Sequence, residues 1–408
     1  MSKYMQKTVY TMVHGEIVDE YLLFFIIIAT VFIVPNLLRK FNVPAITSIM
    51  LAGILIGPHG LNILQVDGTL KIFSSFGAIF LMFLAGLEVD NETLREEFKN
   101  SMVVSLFSLL IPGVGGYLVG QYLGLGFAGS LLYSVIFASH SVGIVYALMD
   151  ELKMVKTKLG TMMLSATILI DLITLILLSI VIKLSETNAI TSDIWMFLIY
   201  AGLYIGGLLL TIPYLSKIIF KNLEKLHIQR IHFVLFIILI SILIGEHLGL
   251  HPIVGAFITG VAVSEALTKE EYDELLNKNL NAIGYGFFIP IFFLVLGMET
   301  NVGVIFNLNN LELVLITIVS AVLLKLTSGL ISLRILGYDK LKSFVGSLLT
   351  VPKISASLVA ASVGRELGII SDDVFVAIVA LSIVTAMITP IGVKSIVVKH
   401  LDRFLGDD

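Results

Sequence analysis

Apolar stretches long enough to cross a lipid bilayer recur along the whole 408-residue chain. A helix that crosses the hydrocarbon core needs about 20 mostly apolar residues, and 57% of this chain is hydrophobic while only 14% is charged. The apolar runs are continuous rather than alternating, which excludes a transmembrane β-barrel. The chain has no cysteine, so disulfides and thiolate metal sites are also excluded. The sequence therefore predicts an all-α polytopic membrane protein.

The apolar runs predict thirteen transmembrane spans, numbered in chain order. Their expected ranges are 21–38, 44–58, 72–88, 102–121, 127–148, 159–183, 194–216, 231–248, 252–266, 283–298, 311–333, 342–364 and 373–397. The membrane domain as a whole is expected over 21–398. Residues 1–20 have neither the apolar core nor the small-residue cleavage site of a signal peptide, so they are expected to stay as an N-terminal segment.

Lysine and arginine are distributed unevenly between the two sides of these spans. Nineteen of the 26 lie in the segments that follow odd-numbered spans, and five lie on the opposite side. The positive-inside rule assigns the richer side to the cytoplasm. We therefore expect a protein of the cell membrane with residues 1–20 outside and a short cytoplasmic tail at 399–408.

Thirteen spans divide into two six-helix units joined by a linker helix, expected at 194–216. A single linker inverts the second unit relative to the first, which is the inverted-repeat architecture of many transporters. Spans 5 and 12 are each the fifth helix of their unit. Both carry polar or helix-breaking residues, namely Ser139, His140, Ser141 and Gly143 in span 5 and Pro352, Lys353 and Ser355 in span 12.

These residues predict that spans 5 and 12 are broken and cross at the membrane midplane. Proline removes a backbone donor and disfavours helix at the preceding residue. Interrupted backbone at membrane depth is tolerated only where it is buried in protein or lines a cavity. The competing interpretation is a simple proline kink with hydrogen-bonded serines.

Asp171 is a lone carboxylate in the apolar run 162–176. A charge near the bilayer centre costs roughly 2.5 to 3.5 kcal/mol on insertion scales and marks a functional site by default. Thr167 and Thr174 share its helix face, where hydroxyl groups can help to coordinate a cation. A carboxylate facing a water-filled cavity can bind a proton or a small cation such as Na⁺ or K⁺. The two compete, because one carboxylate cannot easily bind both at once. The competing interpretation is a buried structural ion pair.

Three further polar residues have open interpretations. Lys325 is either the counter-charge of Asp171 or the neutraliser of a carbonyl end at a broken helix. Lys353 is expected to compensate the carbonyl dipoles of a half-helix, with a functional role as the alternative. His140 either titrates near neutral pH or acts as a neutral hydrogen-bonding residue at the crossing. Together with Asp171, the residues expected to take part in ion or proton binding are Thr167, Ser139, His140 and Ser141.

Four segments, taken in order along the chain, resemble the signature segments of the monovalent cation:proton antiporter-2 family. They are 44–58, 83–88, 253–260 and 290–298, and they read PAITSIMLAGILIGP, FLAGLE, IVGAFITG and PIFFLVLGM. The resemblance implies a homodimer with an elevator mechanism. Its moving core would lie within 102–183 and 311–397, and its dimer scaffold within 21–88 and 231–298.

The resemblance also implies a role for Asp171, which matches the ion-binding aspartate of the family's paired acidic motif. The sequence departs from the family at three places. Ile170 replaces the first motif residue, His140-Ser141 replaces Thr-Ser, and Pro352-Lys353-Ile354-Ser355 replaces Pro-Arg-x-Glu. Lys325 matches the lysine that pairs with the first aspartate in electrogenic members, and that aspartate is absent here.

Together these features predict a non-enzymatic exchanger of Na⁺ or K⁺ for H⁺ with no cofactor. One carrying carboxylate favours electroneutral one-for-one exchange. No Walker-type sequence is present, which argues against an ATP-driven pump. A gated potassium efflux channel or uniporter, a substrate symporter and an inactive scaffold or sensor are the alternative classes.

Overall fold

The computed structural model describes residues 21–41, 43–87, 97–155, 157–187, 192–226, 230–266, 271–301, 303 and 308–405. Throughout these ranges the regular structure is helical. The helices are α1 (Tyr21–Leu38), α2 (Ala45–Ile56), α3 (Gly68–Leu87), α4 (Phe98–Tyr122), α5 (Gly126–Ala138), α6 (Val142–Glu151), α7 (Lys158–Thr187), α8 (Ser192–Leu226), α9 (Arg230–His247), α10 (Pro252–Ala266), α11 (Glu271–Ile283), α12 (Ile289–Met298), α13 (Leu308–Ile335), α14 (Lys340–Leu349), α15 (Ser355–Glu366), α16 (Asp372–Val397) and α17 (Leu401–Leu405). A π-helical turn, Gly284–Phe288, joins α11 to α12.

Every predicted span coincides with a helix or with two consecutive helices. Within the described ranges, nine helical segments are long and apolar enough to cross a membrane, and α2, α5 and α10 are shorter apolar helices. The protein is therefore a multi-pass membrane protein. The total of thirteen spans, the inverted repeat and the grouping into core and scaffold stay predictions.

The expected interruptions are present in spans 5 and 12. The backbone leaves the helical conformation after Ala138 and returns at Val142. In the second case α14 ends at Leu349 and α15 begins at Ser355. Each interruption is several residues of non-helical backbone, so the interpretation as a simple kink is wrong.

Two compact units make up the chain. The first contains the residues up to Ser75 together with Pro290–Asn301. In it α2 and α12 approach closely, because Cβ atoms built at Gly53 and Gly297 would lie 2.2 Å from the carbonyl oxygens of Leu294 and Met50. These glycines belong to two of the four signature segments, and the close approach gives a physical reason for a residue without a side chain at both positions.

The second unit contains 76–289 and 302–408. Within it, a long helix, an interrupted pair and another long helix occur twice in chain order, first as α4, α5/α6 and α7, then as α13, α14/α15 and α16. The two sets pack together, with α4 against α13 and with α15 against both α5 and α7. This packing brings the two interruptions together.

Helical structure continues beyond the last predicted span into the segment expected to be the cytoplasmic tail. Residues 398–400 form a 3₁₀ turn and α17 follows, with Phe404 buried in an apolar cluster that includes Leu159 and Val397. Arg403 pairs with Asp339 at 3.8 Å. Asp339 also caps α14, and the N–H bonds from Lys342 and Leu341 hold the pKa of its carboxyl below the usual value.

Candidate functional site

Asp171 lies at the interruption between α5 and α6. It is near the middle of α7 and only 3% exposed. Its Oδ1 accepts a hydrogen bond of 3.2 Å from the backbone N–H of His140. The following half-helix, α6, begins two residues later, so the carboxylate lies next to the positive end of a helix dipole. Unpaired N–H groups at such an end stabilise an anion.

The His140 ring extends the contact to a second residue of α7. Its Nδ1 lies 3.2 Å from the Thr167 hydroxyl, and that hydroxyl donates to the Met163 carbonyl at 2.8 Å. Because the one hydroxyl proton is used for Met163, His140 donates through Nδ1–H and Thr167 accepts. In the neutral ring Nε2 is then the unprotonated nitrogen, and it has no hydrogen-bond partner among the described residues.

Lys353 and Lys325 bind the opposite side of the interruption, where α5 ends. Lys353 Nζ donates to the carbonyl of Phe137 at 2.8 Å and also to that of Ser139. Lys325 Nζ donates to the backbone carbonyl of Ala138 at 2.5 Å and to that of Ser108 in α4 at 3.3 Å. Both lysines are completely buried. Two lysine amino groups therefore occupy the carbonyl end of α5, where a helix dipole favours cations.

Asp171 has no direct cationic partner in the described part of the chain. Among the described residues, no ion pair within 4.0 Å joins Asp171 to Lys325 or Lys353, although both lysines interact with it electrostatically at longer range. An isolated buried carboxylate is strongly unfavourable. Burial of Asp171 therefore favours a proton or a bound cation on the carboxylate.

Hydroxyl groups connect the two interruptions. Ser139 Oγ lies 2.6 Å from Ser357 Oγ, in the first turn of α15, and also donates to the Ile136 carbonyl at 2.9 Å. The backbone N–H of Lys353 donates to Thr385 Oγ1 of α16 at 3.2 Å. Sequence reasoning missed Ser357 and Thr385. Serine and threonine are common in apolar helices, so only the pairing of the two interruptions singles them out.

The other predicted site residues take different positions. Ser141 is buried in the first interruption, and its carbonyl accepts the Val145 N–H at 3.2 Å. Pro352 lies in the second interruption, whereas Gly143 and Ser355 fall just inside α6 and α15. Ser355 Oγ is buried without a hydrogen-bond partner in the described part of the chain.

The donor set around Asp171 consists of oxygen atoms and one imidazole nitrogen. In the described ranges, no group of three or more His, Cys, Asp or Glu side chains could hold a metal ion. A carboxylate, hydroxyl groups and carbonyl oxygens at interrupted backbone are the ligands that hard cations prefer. The arrangement suits reversible binding of a monovalent cation or a proton.

Comparisons with known proteins agree with this chemistry. The family model described as "Sodium/hydrogen exchanger, transmembrane" matches residues 26–399. The chain is 73% identical over 383 residues to "Probable Na(+)/H(+) antiporter 3" of Methanocaldococcus jannaschii, covering 94% of this chain and 98% of that one. It is 30% identical to "Na(+)/H(+)-K(+) antiporter GerN" of Bacillus cereus, covering 85% of this chain and 88% of the other.

The fold also matches a solved structure. The sodium proton antiporter MjNhaP1 from Methanocaldococcus jannaschii at pH 8 superposes with a TM-score of 0.75 at 17% identity, covering 96% of this chain and all of that one. At this identity the likeness supports the fold alone, whereas family membership rests on the sequence matches. The chain belongs to the sodium/hydrogen exchanger family of membrane transporters, and it is not an enzyme.

Proposed function

We propose that this protein exchanges Na⁺ or K⁺ for H⁺ across the cell membrane, with Asp171 binding the two alternately. The observation that carries the proposal is a buried carboxylate at the positive end of α6 that has no direct ion-pair partner among the described residues. Deprotonated Asp171 binds the cation, and a proton replaces the cation when it leaves.

The cost of burying a charge gives a reason why cation movement is tightly coupled to proton movement. A carboxylate that is neither protonated nor cation-bound is unfavourable in a site closed to water. The site therefore closes readily in two forms, the protonated form and the cation-bound form. If only closed forms change sides, each cation that crosses in one direction is exchanged for a proton in the other.

The two lysines bear on the stoichiometry. Lys353 donates to two backbone carbonyls at the end of α5, and Lys325 donates to one there and to that of Ser108 in α4, so neither needs to exchange a proton during the cycle. One titrating carboxylate then gives one proton per cation and electroneutral exchange. Elevator-type movement of a core within a homodimer, and an N-terminus outside the cell, belong to the same proposal.

The identity of the cation is the less constrained part of the proposal. The names of the two relatives include Na⁺ in both cases and K⁺ in one. Oxygen ligands accept either ion, and selectivity depends on the number of ligands and the size of the cavity. Na⁺ is the first candidate because both names include it.

The decisive experiment uses purified protein in liposomes that contain a pH-sensitive dye. Addition of Na⁺ or K⁺ should change the internal pH with the wild type and not with Asp171→Asn. Asp402→Asn, an exposed carboxylate on α17, is the matched control and should behave like the wild type. Normal elution of Asp171→Asn in size-exclusion chromatography shows that it is folded.

Two results would contradict the proposal. Cation flux without any pH change would indicate a channel or uniporter. Full exchange by a folded Asp171→Asn protein would assign the chemistry to another residue.

A further inference from the structure

A side chain of α16, the helix after span 12, accepts a hydrogen bond from the interrupted backbone of span 12. The backbone N–H of Lys353 donates to Thr385 Oγ1 at 3.2 Å, and this hydroxyl in turn donates to the Leu381 carbonyl at 2.8 Å. Lys353 and Thr385 are buried. A backbone N–H in an interrupted membrane helix loses its helical acceptor, and Thr385 supplies a replacement.

The same arrangement occurs at the first interruption. There the N–H of His140 donates to Asp171, also at 3.2 Å. His140 and Lys353 each lie two residues before the next half-helix, and Asp171 and Thr385 each lie thirteen residues after the first residue of their long helices. Thr385 thus takes, in the second set of helices, the place that Asp171 takes in the first.

The two acceptors differ in chemistry. Asp171 can change its charge when it binds or releases a proton, whereas the Thr385 hydroxyl cannot in the physiological pH range. The hydrogen bond at the first interruption therefore changes with the state of the transport site. The bond at the second interruption is independent of that state.

The second interruption also carries the amino group that contacts the first. Lys353 Nζ binds the carbonyls of Phe137 and Ser139, and Ser139 directly precedes His140, which donates to Asp171. A chain of contacts thus runs from Thr385 through the backbone and side chain of Lys353 to the cation-binding carboxylate.

We propose that Thr385 is a positioning residue for ion exchange: its hydroxyl fixes the backbone of Lys353, so that the amino group stays on the end of α5 while Asp171 changes state. The inference rests on the proposed function and extends it to a residue that does not touch the ion. In this proposal the two interruptions have equivalent backbone hydrogen bonds. The acceptor of the first, Asp171, can titrate, and the acceptor of the second, Thr385, cannot.

Three substitutions in α16 test the proposal. Thr385→Val keeps the shape of the side chain and removes the acceptor, whereas Thr385→Ser keeps the acceptor. Thr389→Val is the matched control, because Thr389 is also fully buried one turn away and its hydroxyl has no hydrogen-bond partner in the described ranges.

In the liposome assay we expect Thr385→Val to raise the apparent KM for the cation about fivefold, the factor that one ordinary hydrogen bond gives. Thr385→Ser and Thr389→Val should stay within about twofold of the wild type, since neither loses this bond. Equal KM values for Thr385→Val and Thr389→Val would overturn the inference. If Thr385→Val does not fold, a wild-type KM in Thr385→Ser supports the inference and a fivefold change contradicts it.

Hydrogen exchange provides a readout that does not require transport. The amide of Lys353 should exchange faster in Thr385→Val than in the wild type, with no change in Thr389→Val, because exchange follows local opening of the hydrogen bond. If the wild-type protein shows no cation-coupled proton movement, the proposed function is contradicted, whereas the hydrogen bond between Lys353 and Thr385 is tested separately by the exchange of the Lys353 amide. Unchanged exchange at Lys353 in Thr385→Val would defeat the positioning role of Thr385 alone.

Discussion

At the scale of single residues, His140 has two separate functions in the geometry of the site. Its backbone N–H contacts Asp171, and any residue other than proline could supply that bond. Its ring instead contacts Thr167, one turn earlier on α7. The sequence indicated that these three residues belong together. It could not indicate that the contact with the carboxylate is made by the backbone, because that depends on where the helix is interrupted.

Thr167 and Thr174 allow the ring contact to be measured. Thr167→Val removes the acceptor for the buried Nδ1–H of His140, and an unpaired buried donor costs about 1 to 3 kcal/mol. Within the described ranges Thr174 bonds only to carbonyls of its own helix, those of Ile170 and Asp171, so Thr174→Val should cost less than about 1 kcal/mol.

Thermal unfolding of the purified protein in detergent checks this expectation. The midpoint should fall clearly for Thr167→Val and little for Thr174→Val. Equal midpoints for the two variants would show that the ring contact contributes nothing to stability.

At the scale of helices, glycine determines how closely two elements approach. Gly86 and Gly260 bring α3 and α10 together in the second unit, since a Cβ at Gly86 would lie 2.2 Å from the Phe257 carbonyl and one at Gly260 would lie 2.1 Å from that of Phe83. Each of the four signature segments thus supplies at least one glycine to a close helix contact. Their pattern reflects packing more directly than ion chemistry.

Gly297 is the best position to test this packing. In Gly297→Ala the new Cβ would lie 2.2 Å from the backbone of Met50, so α2 and α12 must separate, at a cost of about 1 to 3 kcal/mol. Gly202 in α8 is the control, because nothing lies within 4 Å of a Cβ there. Gly202→Ala should stabilise the helix by roughly 0.5 to 1 kcal/mol.

Unfolding midpoints in detergent should therefore move in opposite directions for the two alanine variants. A Gly297→Ala protein as stable as the wild type would mean that the two helices adjust without loss of packing.

The helices were predicted more completely from the sequence than the site was. Apolar runs and helix-breaking residues predicted a helix, or two consecutive helices, at each of the thirteen ranges and located both interruptions within a few residues. The sequence could not place the end of α8, which runs to Leu226, because polar residues continue the helix beyond its apolar stretch. It also could not predict the packing of Phe404, which depends on the tertiary arrangement. Pairings across long separations, such as Ser139 with Ser357, follow only from the tertiary arrangement.

At the scale of the whole molecule, an apolar contact lies beside the candidate site around Asp171. Val261 of α10 packs against Val142 and Ile168, and these two residues lie next to the first interruption and one turn before Asp171. Because α10 touches α7 here, relative movement of these helices would change access to the carboxylate. This contact is consistent with alternating access in the proposed cycle.

The net charge moved per cycle tests the complete proposal. If Asp171 alone titrates while both lysines stay on their carbonyls, one proton replaces one cation and no net charge crosses the membrane. Proteoliposomes adsorbed on a solid support should then give a pH signal on a cation jump without a sustained electrical current. Lys325→Gln, which can still donate to a carbonyl, should remain without current, even if its exchange is slower.

The opposite result would identify a second carrier of protons. A sustained current in the wild type requires that more than one proton moves for each cation, and the remaining candidates at the site are Lys325, Lys353 and His140. If that current disappears in Lys325→Gln while exchange continues, Lys325 releases its proton during the cycle. Its contacts with Ala138 and Ser108 would then be made in only one state of the transporter.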